Sequence, residues 1–229
     1  FDPPDPASQP WHTLTADDAL GRLGTRASGL SSADAHARLA RVGPNELQGF
    51  AQASAWHTFA AQFKNILIVI LLLATALSAV LGHALEAVVI AVIVLFAVLL
   101  GFIQEFRAER ALEALRAMAA PLGHAIRDGV EQAIPARDLV PGDVVLLRAG
   151  DRVPADVRLL VAVNLAVDEA PLTGESAAVD KRTDALDDAH LGLGDRVNMA
   201  YAGTLVTYGR GEAVVVTTGM ATEFGRIST

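Results

Sequence analysis

Two uncharged stretches, Asn65–Leu85 and Ala87–Gln104, follow one another with only Glu86 between them. Each approaches the roughly 20 residues needed to cross a hydrocarbon core about 30 Å thick. A helical hairpin buried in a soluble protein would keep a polar stripe at helical spacing, and neither stretch has one. The pattern predicts a two-helix transmembrane hairpin, with spans at about 64–82 and 85–104 and a turn at Gly82-His83. Lys64 precedes the first span, and Arg107, Arg110 and Arg116 follow the second, so the positive-inside rule puts both ends of the hairpin in the cytoplasm. His83 and Glu86, at the outer turn, read as solvated or interfacial residues rather than ligands.

The second span does not stop where the charges begin. Glu105 to Arg116 holds strong helix formers and no breaker, with mixed charges at spacings suited to a solvated helix. It should continue as a cytosolic stalk until Pro121 and Gly123. From His124 onward the pattern changes to short β-runs. Ala125–Arg127 and Val130–Ile134 flank Asp128-Gly129, a strong signal for a two-residue hairpin. Val144–Leu147, Val157–Val163, Leu165–Val167, Thr204–Tyr208 and Ala213–Thr217 are further expected strands. Turns containing Gly or Pro separate them, Gly209-Arg210-Gly211 among these, together with a polar loop from Asp180 to Asp195.

Ahead of the hairpin, Thr15-Ala16-Asp17-Asp18 and Ser31-Ser32-Ala33-Asp34 look like helix caps. They predict one helix running to about Leu23 and another stopping at Gly43-Pro44, a packing appendage without chemistry of its own. The division expected is a disordered tail at 1–10, a helical segment at 11–49, hairpin and stalk at 50–118, and an all-β domain at 119–229. The fold class is an α + β membrane protein.

Composition removes several functions. With 26 acidic against 18 basic residues the formal charge is −8, the wrong sign for a nucleic-acid partner. There is no cysteine, so disulfides, thiolate chemistry and zinc–cysteine sites are excluded. The polar stretch from Phe1 to Gly49 is no signal peptide, and both ends of the chain read as cut.

Three segments are too particular for a generic β domain. Leu139-Val140-Pro141-Gly142-Asp143-Val144-Val145 comes first, then Gly150-Asp151-Arg152-Val153-Pro154-Ala155-Asp156. Val167-Asp168-Glu169-Ala170-Pro171-Leu172-Thr173-Gly174-Glu175-Ser176 follows. In that order, downstream of a hairpin with a charged stalk, they resemble the actuator domain of P-type ATPases, whose hallmark is a Thr-Gly-Glu-Ser loop. Trp11 to Leu47, ending Gly43-Pro44-Asn45-Glu46-Leu47, resembles the N-terminal segment of the type II cation ATPases. Gln62-Phe63-Lys64-Asn65 and Gly101-Phe102-Ile103-Gln104-Glu105 are similar to that branch too, and within it the chain looks most like prokaryotic calcium-pump-like enzymes.

The resemblance implies a distorted jelly-roll-like β domain on the cytoplasmic side of a multi-pass pump in the cell membrane. Its implied partners are membrane lipid, a transported cation and the phosphorylation domain of the same longer chain. Ca2+ is the cation favoured by the subgroup, with Na+, K+, H+ and Mg2+ open. ATP and Mg2+ are the implied cofactors, at sites outside this chain, because the family's Asp-Lys-Thr-Gly-Thr, Lys-Gly-Ala and Pro-Glu-Gly-Leu strings do not occur here. No cofactor or metal ligand is expected among these residues, and neither span carries a carboxylate to hold the ion.

By the same resemblance Glu175 is the carboxylate that orients a water against an aspartyl-phosphate, a positioning and general-base task. Gly174 lets the loop come close without a side-chain clash, and the Thr173 and Ser176 hydroxyls fix loop and water. Asp143, Asp151, Asp156 and Arg158 are expected to be scaffold, with the arginine paired to one of the carboxylates. A competing reading of a different class is a membrane-tethered β-domain interaction module, produced by natural truncation.

Overall fold

The computed structural model describes residues 9–47, 55–118 and 121–228. The tail expected to be disordered lies outside them up to residue 8, whereas Gln9 is placed and accepts a hydrogen bond from Arg22. The chain divides into two compact units, Phe1–Gly49 with Pro121–Thr229, and Phe50–Ala120.

In the first unit two helices, α1 (Ala16–Arg22) and α2 (Ser32–Val42), start where the capping residues lie. The hydroxyl oxygens of Thr15 and Ser31 accept from the N–H groups of Asp18 and Asp34, satisfying donors that the first helical turn leaves free. Seven strands follow: β1 (Leu122–Arg127), β2 (Val130–Pro135), β3 (Val144–Arg148), β4 (Asp156–Asp168), β5 (Val179–Asp180), β6 (Met199–Ala200) and β7 (Leu205–Thr217). They form one antiparallel sheet in the order β2-β1-β3-β7-β4-β5, with β6 also paired to β4. Asp128 and Gly129 turn β1 into β2 with φ of 54° and 75°, the positive pair a tight hairpin demands.

The strands differ from the sequence expectation in two respects: the two-residue strands β5 and β6 were not expected, and four expected strands join into two. Val157–Val163 and Leu165–Val167 are parts of a single strand β4, and Thr204–Tyr208 and Ala213–Thr217 merge into β7. Gly209-Arg210-Gly211 is therefore not a turn. Asn164 takes φ 49° and Gly209 φ 75° where the two strands meet, and a Cβ on Gly209 would stand 2.1 Å from the Asn164 carbonyl oxygen. The glycine permits a bulge that bends both long strands together while they stay paired.

A core of Leu139, Val145, Leu147, Val157, Leu159, Leu165, Val206 and Val215 fills the interior of this unit. The N-terminal segment is packed onto the β domain rather than forming a body of its own. Trp11, Ala19 and Leu23 share a second apolar cluster with Met199, Tyr201, Val214 and Val216. Asn45 fastens the far end of the segment: its Nδ2 donates to the carbonyls of Ala136 and Pro154, and its Oδ1 accepts from Gly219 N–H.

The second unit holds α3 (Ala55–Gln62), α4 (Ile66–Val80) and α5 (Ala84–Met118). The first expected span is shorter than its uncharged stretch. Asn65 caps α4 by accepting from Leu67 N–H, and the helix has 15 residues, about 22 Å at 1.5 Å per residue. The separate helix α3 in front of it had no clear signal. Among the described residues one helix stretch, Ala84–Ala111, is long and apolar enough to cross a membrane. α5 continues unbroken from the apolar stretch into the charged one, as a stalk requires. Ile68, Val94 and Val98 pack between α4 and α5, and Phe59 of α3 meets Phe102 edge-on with ring centroids 5.8 Å apart. Many other apolar side chains of α4 and of the apolar part of α5 are exposed, including Leu73, Leu77, Val80, Leu85, Leu95 and Phe96.

Candidate functional site

The Thr173–Ser176 motif sits where β4 leaves the sheet. Asp168, the last residue of β4, accepts the N–H of Ala170 through its side chain and starts a one-turn helix, α6 (Ala170–Thr173). Pro171 fits this first turn because its missing N–H has no partner to lose there. Gly174 closes the turn in the left-handed region, φ 75°, and its N–H reaches the Ala170 carbonyl.

Thr173 locks this geometry from inside. Its hydroxyl donates to the Glu169 carbonyl at 3.1 Å, and the same oxygen accepts the Glu175 N–H at 3.2 Å. Its methyl group lies over Gly194, while Leu172 packs into the apolar cluster beside Leu193 and Tyr201. Gly174 to Ala178 are exposed, and the chain returns as β5, which pairs with β4 through Ala166–Asp180 and Val167–Val179. The Glu175 carboxylate makes no hydrogen bond or ion pair among the described residues. Ser176 is exposed, and its hydroxyl likewise has no partner among them.

Beneath the loop lies a pair that motif reading passed over. Lys181 Nζ meets Glu169 Oε1 at 2.6 Å, with no exposed surface on either side chain. Burial pushes the Glu169 carboxyl up and the Lys181 ammonium down, and each is held back by the charge of the other. Glu169 Oε2 has no hydrogen-bond partner among the described residues, so Lys181 is what compensates the buried carboxylate.

The expected scaffold residues are placed as follows. Asp143 is fully buried and takes a two-pronged bond from Arg127, at 2.9 and 2.6 Å, plus the Val140 N–H. Asp151 accepts from Arg148 N–H. Asp156 gathers Ala202 N–H, Glu223 N–H and the Thr217 hydroxyl, joining β4 to the loop after β6 and to the start of helix α7 (Glu223–Ile227). Burial, the largest influence, pushes its carboxyl up to about 6. Arg158 corrects the expectation that it pairs with a carboxylate. Its guanidinium, wholly buried, donates to the carbonyls of Leu159, Asn198, Leu14 and Thr183. Where α4 turns into α5, His83 and Glu86 stand 3.6 Å apart and both are well exposed.

Among the described residues no three carboxylate, imidazole or thiol groups cluster closely enough to hold a metal ion.

Two family models match the chain. The P-type ATPase actuator domain covers residues 117–229, and the cation transporter/ATPase N-terminus covers 11–78. Among curated proteins, the chain is similar to a calcium-transporting ATPase of Listeria monocytogenes, with 42% identity over 93% of this chain and 24% of the relative. A calcium-transporting ATPase of Bacillus subtilis is 44% identical over 95% of this chain and 25% of the relative. A sodium/potassium exporting P-type ATPase of Schizosaccharomyces pombe is 41% identical over 88% and 20%. The chain thus spans about a quarter of the length of the curated relatives it matches.

Proposed function

The chain belongs to the P-type ATPases, carrying their N-terminal segment and actuator domain, and from that premise we propose that it is the N-terminal part of an ATP-driven cation pump. The observation that carries this reading is the unpartnered Glu175 carboxylate, presented by a loop whose base is fixed by Thr173 and by the buried Glu169–Lys181 pair.

In this reading the pump's phosphorylated aspartate, contributed by another domain of the longer protein, is hydrolysed when the actuator domain brings Glu175 to it. Glu175 accepts a proton from a water as the water oxygen attacks phosphorus. The bond between phosphorus and the aspartyl oxygen breaks, releasing the free carboxylate and inorganic phosphate. Gly174 and exposed Ser176 leave the loop's outer surface slim enough to approach a phosphate. ATP and Mg2+ act at sites on other parts of the pump, and lipid surrounds the hairpin.

The hairpin of α4 and α5 is placed in the cell membrane with both ends cytoplasmic. The apolar outer faces of the two helices, the charge-free stretches and the flanking Lys64 and Arg107 support that placement. Rotation of the actuator domain would reach the spans through α5, which has no break between its apolar and charged parts. Ca2+ is proposed as cargo because the Listeria and Bacillus relatives carry that name. The fission-yeast relative, named for sodium and potassium, makes the cation the point to test.

The test is phosphorylation of the purified complete pump by labelled ATP, with Ca2+, Na+ or K+ supplied singly. Acid-stable phosphoprotein that rises with Ca2+ is the expected result. Phosphoprotein dependent on Na+ or K+ would overturn the cargo, and none with any cation would overturn the pump.

A further inference from the structure

We infer that the buried Glu169–Lys181 ion pair is a positioning clasp that sets where Glu175 stands, and this rests on the proposed role of Glu175. The pair closes the loop at its two ends. Glu169 stands at the N-cap of α6, and its carbonyl receives the N–H groups of Leu172 and Thr173 as well as the Thr173 hydroxyl. Lys181 follows β5 directly, and its N–H is tied to the Leu165 carbonyl of β4. The eleven residues between them include the whole exposed tip, Gly174 to Ala178. Backbone pairing closes this excursion weakly, because β5 has two residues. The 2.6 Å contact from Nζ to Oε1 is the only side-chain bond between the outgoing and returning limbs among the described residues.

Stability is a poor reason for such a pair. Two charges stripped of water recover little more than the cost of burying them, and apolar side chains of similar volume often do as well. What apolar side chains do not supply is a fixed distance between the two limbs. An ion pair in a dry interior has one short, directional optimum, and here it fixes the separation of residues 169 and 181. Thr173 then carries that geometry to Glu175: its N–H and hydroxyl are set by the Glu169 carbonyl, and its oxygen holds the Glu175 N–H. Neither charged group reaches the loop tip itself, so each acts through the backbone. A shift of about 1 Å in a catalytic group is enough to cost roughly 10²-fold in rate.

The test uses the complete pump in four forms: wild type, Glu175→Gln, the paired replacement Glu169→Met with Lys181→Met, and all three together. Two quantities are read on each, the rate of phosphorylation by labelled ATP and the decay of the phosphoenzyme after a cold chase. Unfolding of the 229-residue chain carrying the same replacements, followed by Trp11 fluorescence in a Trp56→Phe background, reports the fold. The paired replacement should keep the unfolding midpoint and the phosphorylation rate while slowing decay about 10²-fold. Adding it to Glu175→Gln should slow decay no further. If the paired replacement decays at the wild-type rate while Glu175→Gln is slow, there is no clasp. Slowing that multiplies with that of Glu175→Gln also overturns it, since the pair would then act independently, and loss of the Trp11 transition would make the pair a folding element. Wild-type decay in Glu175→Gln would instead remove the reading on which the clasp rests, whatever the pair does.

Discussion

The buried guanidinium of Arg158 donates a 2.8 Å hydrogen bond to the carbonyl of Leu14, 144 residues earlier in the chain. With further bonds to Thr183, Leu159 and Asn198, this one side chain ties the N-terminal segment, the 180s loop and β4 together. Asn198 reinforces the same junction, its Nδ2 donating to the carbonyls of His12 and Asp184.

Arg158→Met should therefore destabilise the actuator domain by about 3 kcal/mol, because it strands several buried carbonyls at once. Urea unfolding of the chain in detergent, read through Trp11 fluorescence in a Trp56→Phe background, measures it. Trp11 is buried against the domain and reports its release. An unchanged midpoint would mean the junction is held by apolar packing alone.

Asp156 should give the same domain a distinctive pH dependence. Its carboxyl is raised from 3.8 to about 6 in the fold, chiefly by burial. Between those values the fold keeps a proton that the unfolded chain has released. The stabilisation is thus complete below about pH 4 and is lost as pH rises through about 6, by at most about 3 kcal/mol. Asp156→Asn is neutral throughout and lacks this slope. Unfolding midpoints of the two forms from about pH 4 to about pH 7 should converge or cross as wild type loses its advantage. Parallel curves would contradict the raised carboxyl.

The membrane placement predicts sidedness at the outer turn. Gly82 is a poor position for a probe because it sits at φ 86°, whereas His83 beside it is exposed. His83→Cys gives a single thiol, the chain having no cysteine of its own. In intact cells it should react with an impermeant maleimide added outside. Reaction only after the cytoplasmic face is opened would reverse the hairpin.

What the sequence made legible was whatever is local. Thr173 to Ser176, Asp128-Gly129 and the Thr15 and Ser31 caps are contiguous, and their geometry follows from neighbours in the chain. Pairings across the fold were not legible. Glu169 and Lys181 flank the motif, but nothing local says that both turn inward to meet. Arg158 invited a carboxylate partner, yet its acceptors are carbonyls brought from three distant segments and one neighbour. Gly209 and Gly211 looked like a turn, because their need for close approach to Asn164 and Val161 exists only once β4 and β7 are paired. The N-terminal segment could be seen as helical, while its docking on Met199, Tyr201 and Val214 depended on apolar surface contributed much later in the chain.

The central claim is that the free carboxylate of Glu175 promotes hydrolysis of an aspartyl-phosphate, and one kinetic measurement tests it. Glu175→Gln preserves the shape of the loop, since among the described residues only the Glu175 backbone N–H is engaged. In the complete pump, labelled ATP is given as a pulse and chased with unlabelled ATP, and the decay of acid-stable phosphoprotein is followed. Phosphorylation should proceed as in wild type, and decay should slow by about 10²–10⁴, the usual worth of general-base assistance. Decay at the wild-type rate would contradict the claim and leave Glu175 an exposed loop residue without a part in hydrolysis.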